Sequence, residues 1–182
     1  PYGQEQMHTG LHLPDGTKSS AYYEIKKLSE DLKNHSSVKS NSSRIALIFD
    51  YDSDAAWEIQ PHGKNLNYFT LIFETYKAIR KLGQSIDVLS SSKEDFSNYK
   101  IIFVPGLIYM NDKLKQSLSN FDGQVFLGPR TSTRDINLNM PIPLPPNLPN
   151  FHSKIVLTES FRSDDPIALE EGGYFCNYRE KL

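Results

Sequence analysis

The chain has 182 residues, of which 38% are hydrophobic and 23% charged, and its formal net charge is -2 at pH 7. A chain of this length can bury a sizeable core, and its single cysteine excludes a disulfide framework and a thiolate zinc site. The near-neutral charge and the absence of an apolar run of about 20 residues argue against nucleic acid or membrane as a partner. We expect one compact domain with an appended piece of another.

The first part of the chain predicts one helix. Turn residues occur at Leu13-Pro14-Asp15-Gly16, and a helical pattern runs from Ser19 to about Leu32. The apolar residues of this pattern recur at steps of three and four: Tyr22, Ile25, Leu28 and Leu32. Residues 35–43 are polar and rich in serine, so they cannot bury a core face. This composition predicts a linker.

The pattern after the linker changes to buried strands. Residues 44–50 form a continuous apolar run bounded by charged residues, which is typical of a strand covered on both faces. We expect a long loop over residues 50–65 and then a helix over residues 66–82, closed by Gly83. The predicted core stripe of that helix is Phe69, Ile72, Phe73, Tyr76, Ile79 and Leu82.

The remainder continues the alternation of strands and helices. Strands are predicted at residues 85–89, 99–104, 124–127 and 154–159, with a helix at 111–120 and a proline-rich connection at 140–149. Parallel neighbours need a crossover, so the alternation indicates parallel pairing. The predicted fold is an α/β doubly wound, mostly parallel sheet of the flavodoxin-like kind.

The predicted ligand-binding edge of the sheet carries two loops, residues 50–65 and 128–136. Asp50 and Asp52 follow the first strand in a D-x-D arrangement that resembles the nucleophile motif of haloacid-dehalogenase-type phosphatases. A phosphatase is therefore one alternative function. A stand-alone small-ligand-binding domain is another, although the chain has no glycine-rich phosphate loop.

Two strand ends resemble those of class I glutamine amidotransferase-like domains. They are Val104-Pro105-Gly106 and Phe126-Leu127-Gly128. Such enzymes place a cysteine nucleophile on a tight turn after a strand. The corresponding turn here, Gly128-Pro129-Arg130-Thr131, has neither cysteine nor serine, and the lone Cys176 lies far along the chain. We expect a shared fold without the shared chemistry.

Several uncommon runs, in order along the chain, resemble family 42 glycoside hydrolases, the bacterial β-galactosidases. Residues 1–16 resemble the end of the catalytic barrel of these enzymes. Six later runs resemble the trimerisation domain that follows the barrel in these enzymes. They are Phe49-Asp50-Tyr51, Trp57-Glu58-Ile59-Gln60-Pro61, Val104-Pro105-Gly106-Leu107, Leu127-Gly128-Pro129-Arg130-Thr131, Glu159-Ser160-Phe161-Arg162 and Tyr178-Arg179-Glu180. The resemblance implies a barrel segment at residues 1–34, a linker at 35–43 and a trimerisation domain at 44–182.

This resemblance implies a division of labour within a longer parent enzyme. The chain begins at Pro1 without an initiator methionine, so we expect a trimmed or partial chain. The two catalytic carboxylates of a retaining β-galactosidase belong to upstream barrel strands, so this chain alone is not expected to hydrolyse β-galactosides. In the parent, Glu5 and His8 are expected to bind the galactosyl unit. We expect no catalytic residue, metal or cofactor in the chain, and a cytoplasmic location.

The resemblance also implies a homotrimer, with a second copy of the chain as partner. The expected interface residues are Trp57, Glu58, Gln60, Pro61 and Arg130. Tryptophan is enriched at the energetic centres of interfaces, and Trp57 is expected on a loop. The planar fork of Arg130 suits a carboxylate, either within the chain or across an interface.

Overall fold

The computed structural model describes residues 10–33, 35, 43–162, 165–175 and 177–182. The chain divides into two compact units, Pro1–Asn41 and Ser42–Leu182. In the first unit, His12 and Lys18 form an antiparallel bridge around the predicted turn. Asp15 stabilises that turn, because its Oδ1 accepts the backbone N–H of Thr17 at 2.9 Å.

Helix α1, Ser20–Lys33, confirms the helix predicted for the first unit. None of its residues is buried within the described chain. Of the apolar stripe predicted from the sequence, Tyr22 is partly buried beside the His12 ring, whereas Ile25, Leu28 and Leu32 are each about half exposed or more. These three side chains form the exposed apolar part of α1.

The second unit is built on a parallel sheet of four strands in the order β2-β1-β3-β4. The strands are β1 (Ile45–Phe49), β2 (Asp87–Ser90), β3 (Ile101–Val104) and β4 (Gln124–Leu127). In the register of the sheet, Leu47 pairs with Val88 on one side and with Phe103 on the other. Four residues of β1 are buried, which confirms the prediction from its continuous apolar run.

Three helices accompany this sheet: α2 (Tyr51–Ile59), α3 (Tyr68–Lys81) and α4 (Asp112–Ser119). Successive residues of a strand face opposite sides, so the sheet has two core clusters. One contains Ala46 and Ile48 with Leu114 of α4. The second cluster includes Leu47, together with Trp57 of α2 and Tyr68 of α3. Among the described residues, no helix is both long and apolar enough to cross a bilayer.

Helix α2 replaces part of the loop predicted for residues 50–65, so that prediction was wrong. Asp50 caps the helix, because its Oδ2 accepts the backbone N–H of Ser53 at 2.9 Å. Asp52 and Asp54 lie in the first turn, where negative charge favours a helix. Asp50 and Asp52, which resemble a phosphatase nucleophile motif in the sequence, thus form part of the N-terminal signal of a helix.

Helix α3 has the predicted position and buries two residues of the predicted stripe, Ile72 and Ile79, but its buried face is rotated toward Tyr68. Tyr68, Ile72 and Ile79 are buried, whereas Phe69 and Phe73 are 61% and 52% exposed. The hydroxyl of Tyr68 accepts the backbone N–H of Asp50 at 3.1 Å, so this aromatic residue can be fully buried without losing its hydrogen bond. Adjacent helix residues are separated by 100°, so burying Tyr68 turns Phe69 outward.

A strand lies close to the predicted residues 154–159, but the parallel pairing predicted for it was wrong. Strand β5 (Leu157–Ser160) pairs antiparallel with β8 (Tyr178–Lys181), and β6 (Ile167–Ala168) pairs antiparallel with β7 (Tyr174–Phe175). In the β5–β8 register Glu159 lies opposite Arg179, and the two side chains form an ion pair. No strand was predicted for the last residues of the chain, although β8 is the pairing partner of β5.

Candidate functional site

Two segments predicted to lie at the ligand-binding edge of the sheet do meet in the structure. The C-terminal end of α2 lies against the loop that follows β4, residues 128–134, through contacts of Trp57 and Gln60 with Arg130. Parallel strands place their carboxyl ends at the same edge, which brings these distant segments together. The three residues named here were all expected to act at the same interface.

Trp57 lies on helix α2 and not on a loop, and only 3% of its surface is exposed. Its Nε1–H donates to the carbonyl oxygen of Gly106 at 2.8 Å. Gly106 has a φ of 75°, and a Cβ there would lie 2.9 Å from Trp57 Cζ2, so glycine is required beside the indole. Trp57 therefore anchors the end of α2 to the segment after β3.

Arg130 is the most deeply enclosed charged residue of this region, with 2% of its surface exposed. Its guanidinium carbon lies 4.4 Å from the centre of the Trp57 ring, and its Nη2 donates to the carbonyl oxygen of Gln60 at 2.8 Å. Its backbone N–H donates to Glu180 Oε1 at 2.7 Å. Burial lowers the pKa of Arg130, but a guanidinium remains protonated at neutral pH.

Backbone geometry in the loop after β4 is held by buried hydrogen bonds. Arg130 has a φ of 62°, a left-handed conformation that is uncommon for residues other than glycine. The Thr131 Oγ1 accepts the backbone N–H of Gly106 at 3.1 Å. The Thr131 hydroxyl can donate to the carbonyl oxygen of Val104 at 2.8 Å or of Gly128 at 2.9 Å. These bonds tie the loop to the end of β3.

A second arginine and a histidine, which the sequence analysis did not assign to the site, lie beside Arg130. Arg134 Nε donates to Gln60 Oε1 at 2.8 Å, and Arg134 Nη1 donates to the carbonyl oxygen of Thr133 at 2.8 Å. The ring of His62 lies 5.2 Å from that of Tyr178, measured between ring centres. Gln60 thus accepts hydrogen bonds from both arginines: its backbone carbonyl oxygen accepts from Arg130, and its side-chain Oε1 accepts from Arg134.

A cavity of about 350 Å³ opens beside these cationic groups. Its polar lining includes Arg130, Arg134, His62 and Tyr178, and its apolar lining includes Met140 and Ile155. None of the residues that line it is an aspartate or a glutamate. Within the described ranges, neither Arg130 nor Arg134 forms an ion pair, because no carboxylate oxygen lies within 4.0 Å of either guanidinium. This cavity is therefore positively charged.

The surroundings of His62 lower its pKa. Partial burial is the largest cause, and the positive charges of Arg130 and Arg134 add to it. Its Nδ1 lies 3.3 Å from the Ser160 Oγ. The folded chain therefore favours neutral His62 more strongly than the unfolded chain does.

We expect a pH dependence of stability from His62. The contribution of neutral His62 to the free energy of unfolding is fully present above its unfolded pKa of about 6.5. It is lost as the pH falls from there through the lower pKa of the folded state, because the unfolded chain then binds the proton more tightly. Urea unfolding between pH 8 and pH 5 should show a smaller loss of stability in His62→Gln than in the parent chain. Parallel pH profiles would contradict this assignment.

The predicted interface residues differ in their exposure. Glu58 and Pro61 are exposed and Gln60 is partly exposed, whereas Trp57 and Arg130 are buried by their own chain. Only the first group has a side chain that presents surface to a neighbour. Glu5 and His8, expected to bind a sugar in the parent, lie outside the described residues.

The acidic pair of the phosphatase hypothesis has a structural explanation. Asp50 Oδ2 caps α2, and its Oδ1 accepts the hydroxyl of Ser91 at 2.9 Å. Asp52 is exposed on the first turn of α2. Within the described ranges, no group of three histidine, cysteine, aspartate or glutamate residues is arranged to hold a metal ion. Both oxygens of Asp50 thus have partners within the fold.

Comparison with protein families decides among the alternatives. Residues 43–164 match the family described as the β-galactosidase trimerisation domain. The chain belongs to this family. The match confirms the resemblance inferred from the sequence and favours it over a phosphatase or a stand-alone ligand-binding domain. The loop after β4 and the end of α2 both lie inside the matched trimerisation domain.

The chain is also similar to individual proteins named β-galactosidase. The chain is 32% identical over 146 residues to a protein named β-galactosidase from Thermus thermophilus. The alignment covers 80% of this chain but 22% of the relative, so the chain spans about a fifth of that relative's length.

Two solved structures have the same fold as the chain. One is the β-galactosidase from the psychrophilic Marinomonas ef1, with a TM-score of 0.74, 26% identity and coverage of 99% of this chain and 30% of that one. The other is the polyextremophilic β-galactosidase from the Antarctic haloarchaeon Halorubrum lacusprofundi. Its TM-score is 0.76 at 26% identity, with coverage of 98% and 28% respectively. The trimerisation domain thus resembles one part of each larger enzyme.

Proposed function

We propose that this chain assembles a homotrimer of a β-galactosidase, with further copies of itself as the partners. The observation that carries this proposal is the match of residues 43–164 to the trimerisation domain family. The end of α2 suits such a role, because a buried tryptophan holds exposed neighbours in a fixed place. Rigid presentation reduces the entropy lost when two surfaces associate.

The proposed contact surface consists of Glu58, Ile59, Gln60 and Pro61 on the outside, supported by Trp57 and Arg130 beneath. Ile59 lies within the segment expected from the sequence to form the interface, and its side chain is 69% exposed at the end of α2. An exposed aliphatic side chain beside polar residues has the composition of an interface. The buried stack of Arg130 on Trp57 acts as a support and not as a direct contact.

We expect sedimentation velocity over a concentration series to show the chain approaching three times its monomer mass. Ile59→Asp should weaken this association by at least about tenfold, the effect of losing a central interface residue. Leu82→Asp is the matched control, because Leu82 is 77% exposed at the end of another helix. A monomer at every concentration would contradict the proposed function, and equal weakening by both variants would contradict the proposed surface.

We further propose that residues 1–34 complete an upstream (β/α)8 barrel, with Glu5 and His8 as ligands of the galactosyl unit. In this proposal the parent enzyme cleaves terminal β-D-galactosides with retention of configuration through two upstream glutamates. The exposed side chains of Ile25, Leu28 and Leu32 on α1 support it, because an amphipathic helix buries such residues in its native setting.

The two-unit organisation predicts that residues 42–182 fold independently of residues 1–41. A chain lacking residues 1–41 should therefore unfold with a urea midpoint close to that of the 182-residue chain. Circular dichroism would measure both midpoints. A fragment that fails to fold would show that the first unit is integral to the second and would contradict the domain assignment.

We also infer a flavodoxin-like class for the sheet and a cytoplasmic location for the parent. The strand order β2-β1-β3-β4 supports the first inference, because it equals the first four positions of the flavodoxin order. For the second, the single cysteine suits a reducing compartment. Fractionation of cells expressing the parent enzyme tests the location.

A further inference from the structure

The positively charged cavity is not explained by assembly alone. Arg130, Arg134 and His62 line it together, and its lining contains no acidic residue. Among the described residues, the carboxylate close to Arg130 is that of Glu180. Glu180 Oε1 already accepts the backbone N–H of Arg130 and the hydroxyl of Tyr178. Glu180 therefore balances part of the charge but forms no ion pair with either guanidinium.

Arg130 also has an unused hydrogen-bond donor. Its Nη1 is buried and has no acceptor among the described residues, while its Nη2 donates to Gln60. Leaving a buried donor unpaired costs about 1–3 kcal/mol, and more when the group is charged. Arg130 belongs to the cavity lining, so this uncompensated guanidinium adds positive potential to the cavity even though the Nη1 atom itself is buried.

We propose that this cavity binds a carboxylate group. Guanidinium groups match the planar, two-oxygen geometry of a carboxylate, and charge-assisted hydrogen bonds are stronger than neutral ones. The apolar side chains of Met140, Leu144 and Ile155 line the same cavity. They suit a short aliphatic stem that carries the carboxylate.

Two sources can supply such a carboxylate: a free small acid, or an aspartate or glutamate side chain of a second copy of the chain. Both present the same group on a short methylene stem. The proposal goes beyond trimerisation and does not depend on it, because a free acid can bind to a monomer. The experiments below separate the two sources.

The first experiment uses glutarate as the probe and the fluorescence of Trp57 as the readout. Trp57 is the single tryptophan of the chain, and the Arg130 guanidinium stacks on its ring. Titration of the 182-residue chain at pH 7 should give a saturable emission change with glutarate but not with sodium chloride of equal ionic strength. Identical responses to glutarate and chloride would overturn the proposal.

Matched variants locate the response. Arg134→Gln removes the more exposed of the two cavity arginines and should raise the half-saturating glutarate concentration by at least about tenfold. Arg44→Gln, at an exposed position before β1, removes the same charge elsewhere and should leave the titration unchanged. Circular dichroism confirms that each variant is folded. Equal glutarate binding by the parent chain and Arg134→Gln would overturn the assignment.

Sedimentation velocity with and without glutarate identifies the source of the carboxylate. If glutarate lowers the oligomer mass at constant ionic strength, the native occupant is an acidic side chain of a second copy. If Trp57 responds while the mass is unchanged, the cavity takes a free acid. Either result supports a carboxylate site, and the absence of any specific response overturns it. A chain that never associates but still binds glutarate would contradict the proposed trimerisation and would support the carboxylate site.

Discussion

Replacing Trp57 by alanine is expected to lower the free energy of unfolding by about 3–5 kcal/mol, the usual cost of removing a large buried aromatic side chain. The indole is 97% enclosed by residues that include Tyr68 and Arg130. Its loss also leaves the carbonyl oxygen of Gly106 without the indole N–H. Urea unfolding followed by circular dichroism measures the difference.

Two control variants show whether Trp57 acts through packing within the chain. Trp57→Phe keeps an aromatic ring but removes the N–H, so its cost should be smaller than that of alanine. Glu58→Ala changes the exposed neighbour on the same helix and should alter stability by no more than about 0.5 kcal/mol. If Trp57→Ala costs as little as Glu58→Ala, then Trp57 is not a core anchor.

Gly128→Ala is the second substitution with a large expected effect. A Cβ at this position would lie 2.6 Å from the Pro105 Cα and 3.1 Å from the Pro105 Cβ. The neighbour is backbone, and the Thr131 hydrogen bonds tie both segments together, so neither can move away easily. Overpacking of this kind costs about 1–3 kcal/mol, occasionally more.

The measurement for Gly128→Ala is the urea midpoint, with Gln124→Ala as control. Gln124 is exposed at the start of the same strand, β4, so its replacement should have little effect. An unchanged midpoint in Gly128→Ala would show that the close approach of β4 to the end of β3 is relaxed without cost. In that case the glycine would not be required for packing.

The parallel sheet was largely predictable from the sequence because its signals are local. A continuous apolar run is visible in β1, and the predicted bounds of β4, residues 124–127, equal the observed ones. The buried face of α3 was not predictable in the same way, because both Tyr68 and Phe69 are apolar enough to face the core. The choice between them depends on a hydrogen bond from Asp50 to Tyr68, which is a tertiary contact.

The candidate site was predictable only in part. The resemblance to a family pointed to Trp57, Gln60 and Arg130, and the structure brings these three together. Arg134 and His62 carry no local signal of a shared role, because their proximity depends on how the loop after β4 folds against α2. The contact of Glu180 with Arg130 joins residues 50 positions apart and depends on the pairing of β5 with β8.

The carboxyl-terminal strand has a practical consequence for how this protein is divided into fragments. The family match ends at residue 164, whereas β8 begins at Tyr178. A fragment designed on the matched residues alone would lack the pairing partner of β5 and the acceptor for the Arg130 backbone N–H. Cloning boundaries should therefore extend through Lys181, even though those residues fall outside the family definition.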